Sequence, residues 1–535
     1  AVIYQVYPRS FADGNGDGIG DLPGITGRLG HLATLGVDAV WLSPFYRSPM
    51  IDGGYDVADY RDIDPTFGTL ADFDALLAEA HRLGLRVIVD IVPNHSSSAH
   101  PWFVDALASA MGSAARDRYM FRPGLGADGA QPPNDWQSVF GGPAWTRAAD
   151  GSWYLHLFDS SQPDFNWAND DVRAEFADIL RFWLDRGVDG FRIDVAHGMI
   201  KADGLPDVGS VEQVDLIGKD ELPYFDQDGV HEIYREWRKI LDAYPGERIA
   251  VAEAWTAGPE RTARYVVGDE LHQAFNFDYL QTKWVAADLR ATITRSLAAS
   301  DAVGAPTTWV LSNHDVQRHV TRYGGGETGV RRARAALLLM LALPGSAYLY
   351  QGEELGLPEV LDLPPEARQD PQWFRSEGKH PSRDGCRVPM PWSGSAPPFH
   401  FGPDGSTSSW LPAPAAWADL TVERQQSDRD SMLSLYRQAL RLRRTHPALG
   451  PNPGGTGTMR WLSAPDEVLV LAREPGLVCA VNVGKESVLL PGYGQPLLTS
   501  TPATDATAPD TTAPDASAAG WLLRPDTAAW WSTSD

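Results

Sequence analysis

Two cysteines in 535 residues, Cys386 and Cys479, leave no room for a disulfide framework or a thiolate metal cluster. Basic residues are scarce relative to acids. The 45 Lys and Arg against 70 Asp and Glu give a net charge of −25, which argues against nucleic acid or an anionic membrane as partner, because both need a cationic surface. Long apolar runs are missing as well. The longest, residues 335–343 before Pro344, is about half of the roughly 20 residues that cross a bilayer and reads as a buried helix. The opening Val2-Ile3-Tyr4 looks like a strand and not a cationic leader, so cytoplasmic residence is the default expectation.

What is present is a globular composition, 43% hydrophobic and 21% charged, with ample chain for a large core. Residues 2–7, 37–42 and 85–91 read as apolar strands, with helical spacing over 24–35 and 70–83. The alternation resumes with helices at 172–185, 229–244 and 329–342 and strands at 188–195, 248–253, 307–312 and 346–350. Near-continuous apolar strands separated by helices imply parallel pairing with both faces covered, and a count approaching eight favours closure. The fold class is therefore α/β: a (β/α)₈ TIM barrel over 1–95 and 167–455, a small domain inserted at 96–166 after strand three, and a C-terminal antiparallel β domain over 456–535. An irregular stretch over about 352–420 follows strand eight, and a Thr/Ala/Pro/Asp-rich stretch over about 499–519 reads as a flexible insertion.

Acids stand where these strands end. Gly190-Phe191-Arg192-Ile193-Asp194 closes one, and two-residue periodicity puts Arg192 and Asp194 on one face. Ile249-Ala250-Val251-Ala252-Glu253 closes the next, and Leu311-Ser312-Asn313-His314-Asp315 follows a third. In a parallel barrel all of these ends meet at one mouth. Any single strand-end acid is as well explained as a helix N-cap, and His95 or His314 alone as a packed loop residue. Three acids with Arg, Trp or His beside them fit glycoside hydrolysis, which needs one ionised carboxylate and one protonated acid. Asp194 beside Arg192 suits the nucleophile and Glu253 near Trp255 suits the acid/base. Asp315 would grip sugar hydroxyls, and His95 and His314 would hydrogen-bond as neutral rings. A His₂–carboxylate metal site lacks the close-spaced His pair it would need.

Together these blocks resemble glycoside hydrolase family 13, the α-amylase family: Asp90-Ile91-Val92-Pro93-Asn94-His95, Gly190 to His197, Glu253-Ala254-Trp255 and Leu311 to Asp315. Gln162-Pro163-Asp164-Phe165-Asn166-Trp167 is similar to the signature of the oligo-1,6-glucosidase and α-glucosidase branch. Residues 382–392 resemble that branch's Ser-Arg-Asp segment, with departures at several positions. The resemblance implies a retaining mechanism with Asp194 as nucleophile, Glu253 as acid/base and Asp315 as transition-state stabiliser. It also implies a glucose pocket of Tyr55, Asp56, His95, Arg192, His314 and Arg383, in which Asp56 and Arg383 pair to close the end. Without it, Asp56 reads equally as a turn acid and Arg383 as one half of a surface ion pair. Phe140 and Phe158, among the aromatics of the inserted stretch, are expected to face the sugar, although most aromatics there belong to a small-domain core.

The expected activity is release of α-glucose from the non-reducing end of short oligosaccharides. Val195 resembles the residue linked to α-1,6 preference. The following Ala196-His197-Gly198 resembles actinobacterial α-glucosidases acting on maltose-type substrates, so α-1,4 with some breadth is expected. Oligo-1,6-glucosidase activity, or transfer to a sugar as in sucrose isomerases and trehalose synthases, uses the same chemistry. A non-catalytic carbohydrate-binding or transporter-associated homologue would lack this acid set and, in the transporter case, carry a membrane anchor. Finally, Asp13, Asn15, Asp17, Ile19 (by its carbonyl) and Asp21 place oxygens at positions 1, 3, 5, 7 and 9 of a calcium-type loop, whose twelfth position is Gly24 and not Glu. The branch carries a similar loop, which implies a structural Ca²⁺, with Mg²⁺ able to substitute.

Overall fold

The computed structural model describes residues 1–209, 212–379, 381–450, 459–502 and 520–533. Eight parallel strands form one sheet: β1 (Val2–Val6), β2 (Ala39–Leu42), β3 (Arg86–Ile91), β4 (Gly190–Ile193), β5 (Ile249–Ala252), β6 (Gln273–Ala274), β7 (Thr308–Val310) and β8 (Ser346–Tyr350). Their spatial order is β6-β5-β4-β3-β2-β1-β8-β7. The ladder is thus sequential all the way round, with its ends at β6 and β7. There Thr308 bridges the seam with its side chain: its Oγ1 donates to the Ala274 carbonyl at 2.7 Å and accepts from the Asn276 amide at 3.1 Å.

Helices coat the outside, among them α1 (Leu22–Leu35), α2 (Leu70–Arg82), α3 (Asp170–Asp185), α4 (Val230–Asp242), α5 (Ala286–Val303), α6 (Gly326–Ala342) and α7 (Met432–Thr445). Local sequence sets their limits. Asp21 caps α1 by accepting from the Gly24 amide, and Gly36 ends it with φ 98°, a conformation that favours glycine. Thr69 and Asp72 make a reciprocal capping box on α2. Residues 335–343 lie in and just after α6 and are fully buried, so that apolar run is a core helix. Among the described residues no helix is long and apolar enough to cross a membrane.

Inside the strands, Ile3, Trp41, Ile88, Val251, Val310 and Tyr348 pack together as an apolar plug. Two residues further along their strands come Gln5, Asp90 and Glu253, and Arg192 follows Gly190 at the same step. Period-two geometry therefore stacks a polar layer directly on the plug, at the C-terminal mouth. The 96–166 stretch carries a small antiparallel sheet of Phe121–Pro123, Ser152–Leu155 and Trp145–Arg147. C-terminal strands over Met459–Trp461, Val468–Arg473, Leu477–Asn482, Pro496–Thr499 and Thr527–Ser532 form a five-stranded antiparallel sheet. The anticipated insertion at 499–519 lies, beyond residue 502, outside the described residues. Both cysteines are unpaired and buried.

Candidate active site

The mouth is organised by one guanidinium. Arg192, 2% exposed, sits opposite Asp90 in the β3–β4 register. Its Nη1 meets Asp194 Oδ1 at 2.6 Å and both oxygens of Asp90 at 3.0 and 3.1 Å, and its Nη2 lies 3.3 Å from Glu253 Oε2. Three carboxylates thus surround one fixed cation. Glu253 is aimed by two further donors, the Val195 amide at 2.7 Å and the Trp255 indole at 2.8 Å. Val195 makes its bond from a left-handed backbone (φ 44°), a strained state for a β-branched residue that costs on the order of 1–3 kcal/mol.

Across the mouth, Asp315 Oδ1 accepts from Arg387 at 2.8 Å and Arg383 at 3.2 Å, and its Oδ2 lies 3.2 Å from His314 Nε2. Its side chain keeps 32% of its surface exposed, so it faces the cleft. Burial by itself would raise the Asp315 carboxyl. His314 and the arginines 383, 387 and 192 outweigh that and hold it below the usual carboxylate range. Asp194 and Glu253 go the other way. Burial raises both, the surrounding carboxylates add to it, and Arg192 only partly compensates. The shorter Arg192 contact favours the charged form of Asp194 over that of Glu253. Burial also pushes His95 down to about 4 and His314 well below its ordinary value, so both rings are neutral.

The pocket residues gather around this set. Tyr55 stacks on His314 with ring centres 5.2 Å apart and donates to Asp90 Oδ2 at 3.1 Å. His95 Nε2 lies 3.2 Å from the Tyr55 carbonyl, and its ring is 5.2 Å from that of Phe158. Phe158 meets Phe140 edge-on at 5.5 Å, and Phe140 carries the Arg383 guanidinium 4.9 Å above its ring. Trp136 and Trp145, by contrast, belong to the core of the inserted stretch.

One expectation is corrected. Asp56 does not pair with Arg383. It is fully buried, and its carboxylate accepts from Ser48 Oγ at 2.9 Å and the Ile51 and Asp52 amides at 3.0 and 3.1 Å. Those donors fix the turn around a carboxylate with no exposed surface. The partner of Arg383 is Asp52, at 2.7 Å, together with Asp370 at 2.7 Å. Asp370 comes from the 352–420 stretch, where Arg375 also reaches the inserted stretch, donating to the Gly141 carbonyl at 2.9 Å. Sequence reasoning assigned no role to Asp52, Asp90, Asp370 or Arg387. An acid inside the apolar run Val87-Ile88-Val89-Asp90-Ile91 was a signal for Asp90, and Arg387 follows Arg383 by one turn; Asp370 gave none.

Asp13 to Asp21 follow β1 in a loop that curls on itself. Asp13 accepts from the Asn15, Gly16 and Gly18 amides, Asp17 from the Ile19 amide, and Asp21 from Gly14. Its donors are all oxygens, as a hard cation requires. Among the described residues no three His, Cys, Asp or Glu side chains converge as a ligand set. A cation there would therefore need the Asn15 amide oxygen and the Ile19 carbonyl.

Residues 5–451 match the model of the alpha-amylase catalytic domain. The chain belongs to the alpha-amylase family. A probable alpha-glucosidase of Rhizobium meliloti is 40% identical over 517 residues, covering 91% of this chain and 89% of that protein. An oligo-1,6-glucosidase of Parageobacillus thermoglucosidasius is 36% identical over 83% of each chain. Among solved structures, the alpha-glucosyl transfer enzyme XgtA superposes with a TM-score of 0.86 at 37% identity, covering 99% of this chain and 98% of that one. The trehalulose synthase MutB from Pseudomonas mesoacidophila MX-45 superposes with a TM-score of 0.87 at 31% identity, covering 99% and 98%. This family member is a glycoside hydrolase of the alpha-glucosidase branch, built on the α/β barrel that the strand pattern predicted.

Proposed function

We propose that the chain is a retaining, exo-acting α-glucosidase that releases α-glucose from the non-reducing end of short α-glucosides, with maltose-type α-1,4 linkages favoured. The carrying observation is the pairing of Asp194 and Glu253 through Arg192, with Asp315 facing them under the hold of Arg383 and Arg387. In this reading Asp194 attacks the anomeric carbon while Glu253 gives its proton to the leaving oxygen. A covalent glucosyl–Asp194 ester results. Glu253, now ionised, takes a proton from water, which attacks the ester and returns the anomeric centre to its starting configuration. Asp315, ionised throughout, binds hydroxyls whose contacts tighten as the ring flattens. The Arg383–Asp52–Asp370 cluster blocks one end of the site, which selects a terminal sugar.

A second reading keeps these steps and replaces water by a sugar hydroxyl. It is favoured by the likeness to a glucosyl transfer enzyme and a trehalulose synthase. Product analysis on maltose, isomaltose, sucrose and trehalose separates the two: glucose with the free aglycone supports hydrolysis, and new disaccharides support transfer. Asp194→Ala should lower turnover on the best substrate by several powers of ten, since it removes the covalent route. Survival of activity in that variant would overturn the assignment. We also propose a structural Ca²⁺ held by Asp13, Asn15, Asp17, Ile19 and Asp21, with cytoplasmic residence.

A further inference from the structure

We propose that Gln5, which β1 contributes to the polar layer, is a positioning residue: it fixes where His314 carries its hydrogen and, through that ring, sets Asp315. The inference rests on the reading of Asp315 as the acid that binds substrate hydroxyls. Gln5 is 1% exposed, with its Nε2 2.7 Å from His314 Nδ1 and 3.1 Å from Ser43 Oγ. Strand register places it, since β1 sets Gln5 beside Trp41 of β2 and Tyr350 of β8.

The His314 ring has little freedom. It stacks with Tyr55 at 5.2 Å and with Tyr7 at 5.7 Å, and Trp41 meets it edge-on at 6.2 Å. Its backbone is held as well, because the His314 carbonyl accepts from Arg387 Nε at 2.8 Å. Among the described residues the ring nitrogens have two polar neighbours, Gln5 at Nδ1 and Asp315 at Nε2. What the ring does to Asp315 therefore follows from what Gln5 does to the ring.

Asp315 is ionised, and its Oδ2 lies 3.2 Å from Nε2. A bare nitrogen there would set its lone pair against the carboxylate, so Nε2 carries a hydrogen. Gln5 decides whether Nδ1 carries one too. Its NH₂ donates to Nδ1, and a second N–H on that line would face a donor with nothing to accept it. The orientation is not free, because Gln5 Oε1 is left buried without a partner. The surroundings act in the same direction. Burial lowers His314, and Arg387, Arg192 and Arg383 add to it, against Asp315 alone. Tyr7 and Tyr55, raised by burial, stay neutral. The ring thus presents one hydrogen to Asp315 and no charge. An imidazolium would spend the Asp315 charge on an ion pair and withhold it from the substrate, and the opposite tautomer would repel it.

The test reads hydrogens and rates separately. Neutron diffraction from a deuterium-exchanged crystal of the wild type should show deuterium on His314 Nε2 and none on Nδ1; deuterium on Nδ1 would overturn the proposal. That map involves no turnover, so it stands apart from the reading of the reaction, which Asp194→Ala tests. Gln5→Glu keeps the shape but turns the donor into an acceptor, so Nδ1 gains a hydrogen. Its kcat/KM on the best substrate should fall about tenfold at neutral pH, the order of one buried hydrogen bond. Its pH profile should also gain a limb that the wild type lacks. Gln5→Met removes the donor and supplies no acceptor, so it should lose less, about threefold, and keep the wild-type profile shape. A Gln5→Glu profile of wild-type shape would overturn the proposal, since a residue that merely packs adds no titration. If Gln5→Glu does not fold, the neutron map and Gln5→Met decide; an unchanged kcat/KM in Gln5→Met would overturn the proposal.

Discussion

Two aspartates four residues apart separate function from scaffold. Asp52 is ion-paired to Arg383, whereas Asp56 holds the turn that presents Asp52. Asp52→Asn should lower kcat/KM by about 10²-fold, ~2–3 kcal/mol for a truncated buried charge pair, with little loss of melting temperature. Asp56→Ala should do the reverse. It strands two amides and a hydroxyl, costing about 2–4 kcal/mol of stability, while kcat/KM of the folded fraction stays within about threefold. Steady-state kinetics and thermal melts on both variants check the contrast. The sequence Asp52-Gly53-Gly54-Tyr55-Asp56 offered both acids, and only the direction of the turn distinguishes them. Glu353 carries a pH signature. Burial just after β8 raises its carboxyl to about 8, against 4.5 for a free one. The unfolded chain gives up that proton first, so stability contributed by the protonated form is present below pH ~4.5 and drains away as pH rises toward 8. Glu353→Gln should therefore gain melting temperature over wild type progressively between pH 5 and 8.

At the level of elements, what the sequence disclosed depended on how each one buries itself. β1, β2, β3, β5 and β8 are runs of apolar residues, and their positions were legible to within one or two residues. β6 was not: it has two residues, Gln273–Ala274, and no apolar run to announce it. The 18-residue helix α5 also escaped, because its buried residues include Ala and Ser among Leu289 and Ile293, which leaves the apolar stripe faint. The acids gathered at the mouth were legible for a physical reason, since a charge at the end of a buried strand has to be accounted for. Asp370 was not, because nothing in an irregular loop states which side chain it will meet. The seam makes its own prediction. Thr308→Val keeps shape but removes the bond to the Ala274 carbonyl and the acceptor for the Asn276 amide. A loss of about 1–3 kcal/mol is expected in denaturant unfolding, with amide exchange accelerated first in residues 273–278.

For the molecule as a whole, the loop after β1 is fastened to the distant 401–410 stretch. The Asp13 amide donates to the Phe401 carbonyl at 2.9 Å and the Trp410 amide to the Gly18 carbonyl at 2.9 Å. An ion held by Asp13 to Asp21 would therefore tie the first and last parts of the barrel's upper rim. Chelation should lower the melting temperature in a way that added Ca²⁺ reverses, while the rate of the still-folded enzyme changes little. An unchanged melting curve would refute the calcium assignment.

The Arg375 strut from the 352–420 stretch to Gly141 has a consequence for traffic. Arg383 stands over Phe140, the neighbour of Gly141, so the bridge and the Arg383 cluster close one wall together, and in the proposed reaction the departing aglycone and the incoming acceptor share what that wall leaves open. On the proposed reaction, how long the first lingers there sets whether water or another sugar arrives next, which makes that wall the place to look for a balance between cleavage and synthesis.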